Sequence, residues 1–227
     1  MNTFKFYGSA MAMSLLVAVA TSGCASMSST QEGAIIGGGA GAVLGGVIGN
    51  QTGSTTRGAI IGAAVGGAAG ALIGRQMDQQ AEALEDELPN ATVERIGEGI
   101  RVTFASGILF DFDSYSLRTA ARDNLSELAA SLLRYPDSDV LIVGHTDATG
   151  AEDYNQRLSE NRAQAASNFL VQQGVDPSRI RSMGMGETEP VASNDTEVGQ
   201  QENRRVEVAI FASEEYRKRL TGGEGDF

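Results

Sequence analysis

Apolar residues recur along this chain in two different rhythms. From Ile100 onward they fall at the intervals of an ordinary globular domain. Ile100, Val102 and Phe104 alternate with polar neighbours, which predicts a strand with one buried face. Ala121, Leu125, Leu128, Leu132 and Leu133 then mark one side of a helix that must end before Pro136. Val140 to Val143 predicts a short buried strand running into Gly144, His145, Thr146 and Asp147. A second helix is expected from about Asp153 to Gln173, closed by Gly174. Ile180 to Met183 and Val206 to Phe211 predict two more strands. Read in order, residues 100–213 predict an α/β fold of βαβαββ type, a sandwich of helices on a mixed sheet. Residues 214–227 are expected to form a flexible C-terminal tail.

The other rhythm lies upstream. Gly33, Gly37, Gly41, Gly45 and Gly49 recur at every fourth position, and so do Gly58, Gly62, Gly66, Gly70 and Gly74. Both blocks open with GAIIG, the second 25 residues after the first (58 − 33), and the polar stretch Asn50 to Arg57 separates them. Glycine costs roughly 0.8–1 kcal/mol against alanine inside a helix, so neither block favours an isolated helix. Fourfold spacing places the glycines along one ridge, where a neighbouring backbone can approach closely. The expectation for 33–74 is therefore a glycine-zipper helical hairpin, self-packed or multimerised, with low-complexity disorder as the alternative. Met77, Ala81, Leu84 and Leu88 continue at helical intervals until Pro89. Residues 75–99 are read as a spacer helix and linker, whose apolar line could equally serve oligomerisation.

Composition sharpens this division. Of 29 glycines, 15 fall between Gly33 and Gly74, where Arg57 is the only charged residue. Net charge is −12, so no basic footprint points to nucleic acid. One cysteine, Cys24, and one histidine, His145, exclude an internal disulfide and leave too few ligands for a Cys/His zinc site; no cofactor is expected. Residues 1–23 have the layout of a signal peptide, with Lys5, an apolar stretch from Ala10 to Ala20, and small residues before Cys24. This resembles the bacterial lipobox, although Thr21 stands where leucine is usual. The resemblance implies acylation of Cys24 as the mature N-terminus, with 24–32 as lipidated end and short linker. Ala25 favours the outer membrane.

Candidate chemistry gathers around GHTDATG, at a junction between strand and helix where α/β sheets collect ligands. Asn155, Ser159 and Arg162 share one face of the following helix, and Asp147 lies just upstream. An anion, a cation and neutral hydrogen-bonding groups are thus expected in a small region. Asp147 and Arg162 could equally form an ordinary ion pair, and Asn155 could cap its helix. Arg204 and Arg205 could be surface charges, and His145 reads as a structural residue at a strand end.

GHTDATG, NQRLSENRA (Asn155 to Ala163), NRRVEV (Asn203 to Val208) and FDFD (Phe110 to Asp113) together resemble the OmpA-like peptidoglycan-binding domains, in their order and over about 110 residues. With the zippers included, the chain is similar to glycine-zipper outer-membrane lipoproteins of that group. Gln200 departs from the pattern, where a basic residue is common. The resemblance implies a partner, the diaminopimelate of a peptidoglycan stem peptide. Asp147 would take its ammonium and Arg162 its carboxylate, while Thr149 and Asn155 add hydrogen bonds. Asp113 would contribute its backbone N–H, and Arg204 would close the pocket. Acyl chains on Cys24 would hold the protein in the outer membrane, with the domain facing the periplasm and the zippers offering a route to homo-oligomers. The alternative function is a zipper-driven membrane scaffold or pore that uses wall binding only for position. An enzyme is disfavoured. No G-x-S-x-G elbow is present, and His145 and Asp147 stand too close in sequence for a triad.

Overall fold

The computed structural model describes residues 53–111 and 113–222. The expected signal peptide, Cys24 and the first glycine block lie outside the described residues. In chain order the elements are α1 (Thr55–Ala63), α2 (Gly67–Glu87), β1 (Ala91–Ile96), β2 (Gly99–Ala105) and a single turn, α3 (Ser106–Leu109). They continue with α4 (Thr119–Arg134), β3 (Ser138–Gly144), α5 (Glu152–Gln172), β4 (Ile180–Gly184), α6 (Glu197–Asn203), β5 (Arg205–Ala212) and α7 (Glu214–Gly222). The strands form one sheet in the order β1-β2-β5-β3-β4. Every neighbour is antiparallel except β3 and β4, which run parallel and are joined through α5. From β2 to β5 the strands and the two long helices follow the βαβαββ order predicted, on a mixed sheet, with the short α3 and α6 in addition.

One face of the sheet carries the main core. Ile100, Val102, Phe104, Val140, Ile142, Val206, Val208 and Ile210 cluster there with Leu125, Leu128 and Leu132 of α4 and Ala163, Ala166 and Leu170 of α5. Leu133, expected on the same stripe, is instead exposed. Ile73, Met77, Ala81, Leu84 and Leu88 belong to this core as well, each fully or almost fully buried. The expected spacer is therefore part of the domain. Its apolar line is not left for the oligomerisation considered for it, because α2 lays that line against the sheet and α4. The expected linker also needs correction. Ala91–Ile96 pairs with Gly99–Ala105 as an edge strand through a turn at Gly97.

The second glycine block is not one continuous helix. It breaks between Ala63 and Gly67, where Gly66 (φ +69°) and Gly67 (φ +63°) adopt left-handed backbone open to glycine at little cost. Glu98 holds the break by accepting the Val65 and Gly66 N–H groups, each at 2.8 Å. The leading half, α1, lies on the opposite face of the sheet from the main core. There Ile60 and Ala63 pack with Ala209 and Phe211. All eight residues of β5 are consequently buried. A Cβ at Gly99 would lie 2.6 Å from Ile60 Cγ2 and 2.7 Å from Ile210 O, so glycine there admits Ile60. Among the described residues no helix is long and apolar enough to cross a membrane.

The C-terminal stretch read as a tail is helical over Glu214–Gly222. Tyr216 and Leu220 rest against the core, and Arg219 pairs with Asp137 at 2.6 Å. A run rich in charge hid two apolar contacts one turn apart.

Candidate functional site

The C-terminal ends of β2, β3 and β4 converge with the N-terminal end of β5 at one edge of the sheet. His145 N–H donates to Arg205 O at 2.9 Å, and Thr146 N–H to Gly186 O at 2.8 Å. Two glycines bring α5 down onto this edge. A Cβ at Gly144 would collide with the Ser159 carbonyl, and one at Gly184 with Ser159 Oγ and the Glu160 N–H. The Ser159 hydroxyl then accepts the Gly186 N–H at 2.9 Å and donates to Gln156 O at 2.7 Å. Close helix packing thus fixes where the preceding and following turns of α5 point their side chains.

Those turns carry Asn155 and Arg162, both buried beside Ser159. Asp147 sits in the loop after β3, also buried. Its carboxylate accepts the Thr149 backbone N–H at 2.9 Å and pairs with Arg204. Burial pushes the Asp147 carboxyl up, but the Thr149 N–H and the Arg204 guanidinium outweigh it and hold the group below the usual carboxylate value. The Asn155 amide N–H₂ points at Asp147 O and Thr149 O, each at 3.2 Å, and at Glu187 Oε2 at 2.7 Å. It ties the loop to the helix.

Arg162 is 4% exposed. Its Nε donates to Ser114 O at 3.0 Å, and its guanidinium lies 5.4 Å from the Phe110 ring centre. Among the described residues this is its one hydrogen bond, and it makes no ion pair within 4.0 Å. Burial lowers its pKa, with nearby Tyr154 and Asp113 acting in the opposite sense. Asp113 is exposed, has left-handed backbone (φ +54°), and accepts a hydrogen bond from the Tyr154 hydroxyl. That bond raises the Tyr154 pKa.

The six expected site residues therefore gather at one edge. Their pairing differs from the simplest sequence reading, since Asp147 meets Arg204 and not Arg162. Arg204 and Arg205 also separate. Arg204 turns to Asp147, whereas Arg205, 4% exposed, pairs with Glu207 at 2.7 Å on the other side of the strand. Neither is a free surface charge.

Sequence reasoning missed several supports. Asn203 is fully buried and uses both ends of its amide. Its oxygen accepts the Val191 and Ala192 N–H groups at 2.8 and 3.0 Å, and its nitrogen donates to Ala192 O and Asn194 Oδ1, both at 2.9 Å. Asn194 Oδ1 also accepts the Ala148 N–H at 3.1 Å. Asn203 stood inside a noted motif, but Glu187 and Asn194 lie in an aperiodic loop that gives no pattern to read.

His145, fully buried, has its pKa lowered to about 3 by burial and by Arg205. It stays neutral, with Nδ1 4.0 Å from Glu189 Oε2.

Residues 109–204 match the OmpA family model, and residues 1–78 match a YMGG-like Gly-zipper model. The probable lipoprotein YiaD of Escherichia coli (strain K12) is 40% identical over 136 residues, covering 59% of this chain and 62% of that protein. The outer-membrane lipoprotein YfiB of Pseudomonas aeruginosa is 36% identical over 115 residues, covering 51% of this chain and 68% of that protein. A solved structure described as the cell wall anchor of the T6SS from Pseudomonas aeruginosa aligns with a TM-score of 0.54 at 33% identity, over 59% of this chain and 97% of that one. The chain spans about three fifths or less of the first curated relatives it matches.

Proposed function

Because this chain belongs to the OmpA family, we propose that the polar cluster at the sheet edge binds peptidoglycan non-covalently, through the diaminopimelate of a stem peptide. The observation that carries this reading is the state of Arg162. A buried guanidinium without an anionic partner among the described residues is costly, and a ligand carboxylate would supply the missing charge and accept from its planar fork. Ionised Asp147, one loop away, suits the ammonium that the same diaminopimelate end carries. Arg204 is the more exposed of the two arginines at the pocket, and can follow the ligand as it enters. Thr149, Asn155 and the Asp113 backbone N–H complete the proposed contacts.

The role is binding rather than catalysis. With its pKa near 3, His145 is a poor acid or base at neutral pH. Charge-assisted hydrogen bonds contribute roughly 1.5–3 kcal/mol each, so one pocket binds modestly. Acylation at Cys24 would hold the protein in the outer membrane beside the wall, where a high effective concentration makes modest binding sufficient. The cell-wall anchor and outer-membrane lipoproteins among its relatives support such a tether, with the domain in the periplasm. Oligomerisation through the zippers would fall to the first block, since Gly58 and Ile60 of the second are already buried.

Co-sedimentation with purified diaminopimelate-type sacculi tests the reading. The parent should pellet with the wall. Asp147→Asn and Arg162→Lys should reduce retention by tenfold or so, about 1.4 kcal/mol, while circular dichroism stays unchanged. A folded parent that remains in the supernatant overturns the proposal.

A further inference from the structure

The polar groups beneath α1 form a second cluster, separate from the pocket. Thr55 donates its backbone N–H and its hydroxyl to Glu189 Oε1, at 3.0 and 2.5 Å. The Thr56 hydroxyl donates to Glu207, which is itself held by Arg205 at 2.7 Å and approached by Arg101 at 3.9 Å. Arg205 also donates to Glu189 O at 3.1 Å. Just beyond, Arg57 pairs with Glu94 at 3.1 Å. Thr56, Glu207, Arg205 and His145 are all buried.

Three chain segments serve both clusters at once. After β3, His145 faces the α1 cluster and Asp147 the pocket. Before α6, Glu189 holds Thr55 while Glu187, two residues earlier, holds Asn155. At the start of β5, Arg205 serves the α1 cluster and Arg204 reaches Asp147. A shift of any of these short segments moves a member of each cluster.

We propose that docking of α1 on the sheet sets the affinity of the pocket, so that the second glycine block acts as an intramolecular positioning element for wall binding. The inference rests on the pocket reading above. With α1 docked, Glu189 and Arg205 are fixed, which places Glu187 against Asn155 and Arg204 against Asp147. With α1 released, those segments lose their partners and the pocket loses its preset geometry. Coupling of this kind is reciprocal, so ligand in the pocket also holds α1 in place.

The first glycine block supplies the comparison. It carries the same Ser-Thr pair and the same GAIIG, but Gln31 and Glu32 stand where the second block has Thr56 and Arg57. Glutamine lacks the short hydroxyl that reaches Glu207, and a glutamate would face Glu94 with like charge. The sequence of α1 thus selects this block for the sheet.

The test uses the full chain with T56Q/R57E, which writes the first block's residues into the second, and separately with Ile60→Asp. Hydrogen exchange of the α1 amides is read beside the affinity for a soluble diaminopimelate stem tripeptide. The expected result is loss of α1 protection in both variants, with affinity at least about fivefold weaker, and slower α1 exchange in the parent when the tripeptide is added. Lost protection with parental affinity overturns the coupling while leaving the pocket intact. Parental protection in both variants overturns the assigned contacts of α1. A parent that does not bind the tripeptide overturns the pocket reading itself, and the coupling with it.

Discussion

At the scale of single residues, buried charge distinguishes this domain, and the groups other than Arg162 each have their own solution. Asp147 is satisfied by an N–H and a guanidinium and Glu207 by Arg205 and Thr56, while His145, whose ring nitrogens have no hydrogen-bond partner among the described residues, avoids the cost of a buried charge by staying neutral. The last has a consequence for stability. The folded pKa of His145, about 3, lies below its ordinary value of 6.5, so the unfolded chain binds this proton first as pH falls. Its contribution is fully present above pH 6.5 and declines between 6.5 and 3, at up to about 1.4 kcal/mol per pH unit. His145→Gln should flatten the difference in unfolding free energy over that window. Matching slopes for parent and variant, by urea titration at each pH, would refute the assignment. Much of the residue scale was legible beforehand, since helical spacing put Asn155, Ser159 and Arg162 on one face. The choice of Arg204 as the partner of Asp147 was not. The resemblance put Arg204 at the pocket, but spacing along one helix does not reveal which side chain from another loop reaches Asp147.

Among the elements, α5 and α1 approach the sheet by the same device, a glycine where a side chain would intrude. Gly144→Ala would drive a methyl into the Ser159 carbonyl, which is backbone and cannot swing aside. The expected cost is about 1–3 kcal/mol in chemical denaturation, together with weaker sacculus binding as α5 lifts from the strand ends. Unchanged stability would mean that α5 and β3 are packed more loosely than their contact implies. The four strands and two long helices from residue 99 to 212 were readable because alternation and the three-four rhythm agree with burial, whereas α3 and α6 are too short to show a rhythm. The glycine blocks were harder. Fourfold spacing describes a ridge but not what packs on it, and in the second block Ile60 and Ala63 make the contact with the sheet while Gly66 and Gly74 face open space. β1 escaped notice because Ala91–Ile96 is only partly buried at a sheet edge, which weakens its alternation.

For the whole molecule, the boundary of the folded unit moves upstream by some 45 residues, from the expected 100 to Thr55 (100 − 55). Met77, Leu84 and Leu88 complete the main core, and Ile60 seals the opposite face. A fragment beginning at residue 90 should melt far below one beginning at 53, and less cooperatively, because a fully buried leucine or methionine contributes about 1.5–3 kcal/mol. Equal melting by calorimetry would show that α1 and α2 are accessories after all. The placement of α1 also bears on how such a tether behaves under tension. Cys24 and Ser54 stand 30 positions apart (54 − 24), a span of at most roughly 100 Å. A pull from the N-terminus reaches Thr55 and Thr56 first, where the hydrogen bonds to Glu189 and Glu207 are concentrated, and reaches Ile60 only afterwards. Once those bonds give way α1 can leave the sheet, and the 13 residues from Ser54 to Gly66 (66 − 54 + 1) can then extend to at most roughly 45 Å.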